Sequence, residues 1–190
     1  MAVSINQEIN NVGGHIAAFN DVNLHSNGLN NNAVSNAAGS MDVSQIGSVY
    51  GNLNIDAGRG ALTNQGSSLQ AGRSIQLSAD GIDSSNGGYI HAAQNIELNS
   101  QHRLNNEYGQ IVADSGSIYS QSSDLSNSGG IILTQGLNNS VSPDIVLKQS
   151  GILDNRQNGQ ISSSNQLNIS SGSIQNDHGD IPWLAFTMRK

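Results

Sequence analysis

The chain has 190 residues, with only 4% aromatic and 11% charged side chains and a formal net charge of −7. Seven Lys and Arg cannot assemble a basic face for nucleic acid, and the absence of Cys removes disulfide frames and thiolate metal sites. Two Pro and sparse charge argue against a disordered chain, whereas 22 Gly and 26 Asn favour many turns between short strands.

The opening MAVSINQEIN has neither a positive n-region nor an apolar h-region, so it does not read as a signal peptide. An export signal, if one is used, is expected outside this sequence. Further along, one plan recurs: an aliphatic residue, a polar turn with glycine, an aliphatic anchor, a small residue, then an aliphatic pair. The anchors are Ile16, Leu69, Ile90, Ile111, Ile132, Ile161 and Ile181, spaced from Leu69 onward by about 21 residues with one longer step. Met41, in SMDVSQ, is taken as the anchor of a degenerate unit between the first two. Two residues past the anchors stand Ala18, Ala71, Ala92, Ala113, Thr134, Ser163 and, out of character, Trp183.

The pairs Val22/Leu24, Ile75/Leu77, Ile96/Leu98 and Leu167/Ile169 follow at a fixed distance, while Leu53/Ile55 and Ile145–Leu147 come late. Ile118 and Tyr119 read as displaced by one residue. Spacing of i, i+2 is strand alternation, and a short strand cannot cover its own apolar face. Stacked units bury a continuous core, which predicts an all-β parallel β-helix with eight or nine coils of about 20–21 residues. The repeat domain is expected over residues 1–181, with irregular longer units at 30–61 and 132–153 and a non-repeat tail at 182–190.

A second column is more specific. Two residues after each unit's opening aliphatic come Asn11, Asn31, Asn64, Ser84, Asn106, Asn127, Asn155 and Asn176. An inward-turned Asn caps turn backbone groups in its own coil and bonds the equivalent amide of the next, so these Asn residues are expected to form a structural ladder. The glycines at 14, 66, 87/88, 109, 129/130, 159 and 179 are expected to supply a positive φ at that corner.

The segments INNVGGHIAAFNDVNL (9–24), IDSSNGGYIHAAQNIEL (82–98) and LSNSGGIILTQG (125–136) resemble the haemagglutinin repeats of filamentous-haemagglutinin-type exoproteins. The resemblance covers residues 5–181 and implies a right-handed β-helical fibre, exported by two-partner secretion through an outer-membrane barrel transporter. It also implies a secreted or bacterial cell-surface location. The family's NPNG- or NPNL-type secretion motif and its VENN-type junction do not occur here, so the chain reads as an interior shaft piece. The same shaft serves adhesins, haemolysins and contact-dependent inhibition toxins.

Candidate chemistry is thin. The five histidines show no HxH or HxxxH spacing, so no metal site is expected. Glu97 is alone in the outward column Asn23, Gln76, Glu97, Asn168, and Asp56, Asp80, Asp83, Asp114 and Asp124 fall at different registers. A carbohydrate-active β-helix enzyme would need paired carboxyls about 5–9.5 Å apart, for instance Asp80 or Asp83 brought near Asp124. GGYIHA and GGIILT lack the Asp of calcium-binding repeats, and no cofactor is expected. IPWLAF is too short to span a membrane.

The leading reading is a structural adhesin segment, not an enzyme, contacting a host receptor or glycan. The contacts are assigned to its surface and to two loop regions, Asn30–Ser40 with Gln45–Asn52, and Gly136–Asp144. Leu137, Asn138, Asn139 and Ser140 are the favoured contact residues of the second loop.

Overall fold

A computed structural model of the chain describes residues 1–137, 142–181 and 186–188. Among these residues there is no helix; the chain winds as a parallel β-solenoid of about eight turns. A typical coil runs Ser68–Ala71, Ile75–Ala79 and Ile82–Asp83, each strand belonging to a different sheet. Three parallel sheets of nine, eight and seven strands therefore wrap one interior.

Registers follow the aliphatic columns. In the seven-stranded sheet Ile16 pairs with Ile46, then Leu69, Ile90, Ile111, Ile132 and Ile161. In the eight-stranded sheet Ile9, Leu29, Leu62, Ile82, Leu104, Leu125 and Leu153 stack likewise. The nine-stranded sheet carries the i, i+2 pairs, such as Leu53/Ile55 beneath Ile75/Leu77 beneath Ile96/Leu98. Because strands stack about 4.8 Å apart, like side chains lie directly over one another. Ile46, Leu69, Ile90, Leu104 and Ile111 are fully buried. Each such burial contributes about 1.5–3 kcal/mol, which offsets the ordering of a short strand.

Three expectations are corrected. Met41 is not an anchor: it is 56% exposed and lies in an antiparallel hairpin, Val34–Ser35 against Met41–Asp42. The anchor of that unit is Ile46, and Ser48, two residues on, fills the small-residue column beside Ala18 and Ala71. Gln45–Ser48 is thus a core strand, so only the Asn30–Ser40 side of that long unit carries an excursion. Ile118 is in step with Ile96 and Ile145; it is Ser120 that takes the place of the second aliphatic.

The expected positive φ is present at Gly66, Gly87 and Gly129, while at other corners it falls one residue before the glycine, as at Gly13, Tyr108, Asn158 and His178. Tyr108, with φ 55°, shows that a side chain is tolerated there. The next residue is the constrained one. A Cβ at Gly109 would run into the Ser84 carbonyl oxygen, and one at Gly130 into that of Asn106. Glycine is demanded by the close approach of the coil beneath.

Beyond Ile181, Phe186–Met188 pairs in parallel with Leu167–Ile169, adding the ninth strand of the longest sheet. Gly109→Ala should lower stability by about 1–3 kcal/mol as an overpacking change. Gly81→Ala, where the nearest contact is Arg103 O at 3.7 Å, should be close to neutral. Urea midpoints of the two variants check the contrast.

Candidate functional site

The one constellation that runs the length of the molecule is internal. Asn31, Asn64, Asn106, Asn127 and Asn155 are completely buried at the corner between the eight- and seven-stranded sheets, and Asn11 is 8% exposed. Asn11 Nδ2 donates to Asn31 Oδ1 and Asn31 Nδ2 to Asn64 Oδ1, both at 2.7 Å. Asn106 donates to Asn127 and Asn127 to Asn155 at 2.7 Å, and Asn155 to Asn176 at 2.8 Å. The same amide groups reach turn carbonyls of their own coil, as Asn155 does to Gly159 O at 2.9 Å, and of the next coil, as Asn127 does to Gln160 O at 3.0 Å. Backbone oxygens at a buried corner would otherwise lose their hydrogen bonds.

The ladder has one fault. Asn64 Nδ2 donates to Ser84 Oγ at 3.1 Å, but Asn106 Oδ1 beyond it is buried and has no hydrogen-bond partner among the described residues. Serine is too short to carry the chain of donors across.

The outer surface holds the carboxylates and imidazoles. His25 Nδ1 lies 3.0 Å from Asp56, His91 Nε2 3.0 Å from Asp114 and His102 Nδ1 2.9 Å from Asp80, each pair bridging neighbouring coils. His25 and Asp56 are register partners one residue past aligned aliphatic pairs, a signal the sequence reading missed. Asp83 accepts from Gln65 Nε2 at 2.7 Å and Asn105 Nδ2 at 3.1 Å, while Asp124 accepts from the Ile152 amide at 2.7 Å. Asp83 stacks in register with Asn105 and Ser126, whereas Asp124 stacks with Arg103, so the two occupy different columns. Glu97 accepts from Gln76 Nε2 at 3.3 Å and from Asn99 Nδ2 at 2.8 Å. No group of three or more His, Asp or Glu side chains placed to hold a metal ion occurs among the described residues.

Two pKa shifts have clear origins. The Arg156 guanidinium forks onto Asp154, with Nε at 2.9 Å and a terminal nitrogen at 2.7 Å, and its hydrogen bonds hold that carboxyl below the usual carboxylate range. Burial, and then the Asp114 carboxylate, push the Tyr89 phenol up. Tyr89 also stacks on His91, ring centroids 5.5 Å apart.

On the outer face of the nine-stranded sheet an open trough runs between Asn23, Asn54 and Gln76 on one side and His25, Asp56 and Ser78 on the other. Of the second loop, Leu137 is 67% exposed, and Asn138, Asn139 and Ser140 lie outside the described residues. Phe19 and Tyr50 form an exposed edge-to-face pair with centroids 4.7 Å apart, a feature missed in the sequence. The available signal was an aromatic placed just past the small-residue column, where Gly72 and Ala93 stand in later coils.

The haemagglutinin-repeat family model matches residues 2–45, 48–157 and 122–181. No curated protein and no solved structure matches the chain.

Ser84→Asn should give Asn106 Oδ1 its missing donor and raise stability by about 1–3 kcal/mol, read as a higher urea midpoint. Asp154 should contribute stability above its unfolded pKa of about 3.9, lost as pH falls through the lower folded value. Arg156→Ala should therefore lower the thermal midpoint at neutral pH, and the difference from wild type should shrink as the pH falls below the unfolded pKa of about 3.9.

Proposed function

We propose that this chain, a member of the haemagglutinin-repeat family, is a structural shaft segment of a secreted or cell-surface bacterial adhesin. The observation that carries this reading is the in-register stack, in which the three parallel sheets pair coil after coil, from Ala2 to Met188 in the nine-stranded sheet, Ile9 to Gln175 in the eight-stranded and His15 to Ser162 in the seven-stranded. Such a stack resists bending and compression because each coil contributes backbone hydrogen bonds to the coils on both sides. The family membership supports export of the parent protein through an outer-membrane two-partner transporter.

The outward carboxylates favour a structural role over hydrolysis. Asp80, Asp83, Asp124 and Glu97 each bond to a neighbouring coil, so they act as inter-coil fasteners. Among the described residues the hairpin Val34–Ser35 with Met41–Asp42 leaves the stack, and the segment 136–144 falls in the sequence between the strands Ile131–Thr134 and Ile145–Gln149. A host receptor or glycan is assigned to these two segments and the polar faces flanking them.

Excision of Leu137–Ser142 and, separately, of Val34–Asp42 tests this. Both variants should keep the β-sheet circular dichroism of the parent chain, and at least one should bind host cells several-fold more weakly. Full binding by both would remove the two segments from the adhesive surface.

A further inference from the structure

Beyond the Asn106 oxygen, all the buried polar side-chain atoms without a hydrogen-bond partner among the described residues fall in one place. They are Ser120 Oγ, Ser122 Oγ and both amide atoms of Gln149. These side chains face the interior of the nine-stranded sheet on two adjacent coils, Ile118–Ser122 and Ile145–Gln149, where Ser122 pairs with Gln149 and Ser120 with Leu147. Ser120 is 1% exposed, Ser122 5% and Gln149 5%.

The neighbouring coils show what is unusual. In the column of Ser120 the other coils place Leu24, Ile55, Leu77, Leu98, Leu147 and Ile169. Ser120 thus carries a side chain smaller by three carbon atoms and one oxygen richer than the leucines on either side. In the column of Gln149 other coils have short residues, and their hydroxyls are satisfied: Ser26 donates to Gly28 O at 2.8 Å and Ser100 to Arg103 O at 3.0 Å. Ser122 and Gln149 make no such bond to the following turn. A long amide thus enters the interior beside a missing aliphatic, with two hydroxyls around it.

Room and several polar groups together are the conditions under which buried water is held, whereas apolar cavities stay dry. An amide left unbonded at this depth would be costly, and a bridging water removes that cost. We propose that the shaft encloses a water site at this coil, in which one or two water molecules bridge Ser120 Oγ, Ser122 Oγ and the Gln149 amide. The solenoid is then hydrated at one point along a sheet interior otherwise lined by aliphatic side chains and hydrogen-bonded serines, next to the longer unit that follows Ile132.

A high-resolution crystal structure of the whole chain should show water density within hydrogen-bond distance of Gln149 and at least one of the two serines. An empty cavity, or a Gln149 amide bonded directly to Ser120 or Ser122, would overturn the proposal. In solution, oxygen-17 relaxation dispersion counts long-lived internal waters. Ser120→Leu combined with Gln149→Ser gives both coils the Leu98/Ser100 pattern, a leucine before Ser122 in one and a serine after Leu147 in the other, and the count should fall by one or two. An unchanged count in the folded double variant contradicts the site, and the wild-type crystal structure decides the matter if that variant does not fold.

Discussion

Every feature of this molecule answers to the vertical distance between coils. At about 4.8 Å, a side chain has its equivalent in the next coil as its nearest neighbour, so each position must tolerate a copy of itself. Aliphatics do so by packing, and Asn does so by presenting a donor on one side and an acceptor on the other. Glycine is required where even a methyl group would meet the backbone below, as at Gly109 and Gly130. The three columns of the repeat are three solutions to one geometric demand.

The same demand shapes the surface. Charged groups stand over their neighbours too, and the structure pairs them across coils: His91 with Asp114, His102 with Asp80, and Gln76 with Glu97. Exposed pairs of this kind add little stability individually. Their consequence here is chemical, because a carboxylate already bonded to an adjacent coil is a poor candidate for an unencumbered acid or base. Among the described residues the hairpin around Asn36 departs from this stacking.

Much of this was legible in the sequence, and the reason is physical. Translation symmetry copies the same environment into every coil, so the Ile and Leu columns and the recurrent Asn could be aligned without a structure. What was not legible depends on a single unit's departure from symmetry. Met41 is apolar but sits on an insertion, and Ile46 became recognisable as the anchor only through its pairing with Ile16 and Leu69. The glycines were visible as a column and the positive φ holds at Gly66, Gly87 and Gly129, but the close approach at Gly109 and Gly130 was not visible, since φ and close approach leave the same letter in the sequence. Ile118 and Tyr119 looked displaced because the turn between Ile111 and Ile118 is one residue longer than its counterpart between Ile90 and Ile96, although Ile118 stays in register and Ser120 holds the interior position.

The amide ladder has an orientation as well as a position. From Asn11 to Asn176 the inter-coil amide bonds are given by the earlier coil and received by the later one. The row therefore reads in one direction only, like a line of magnets laid pole to pole. A coil turned upside down would set oxygen against oxygen, so the solenoid carries within its interior a built-in arrow that any correctly added turn must obey.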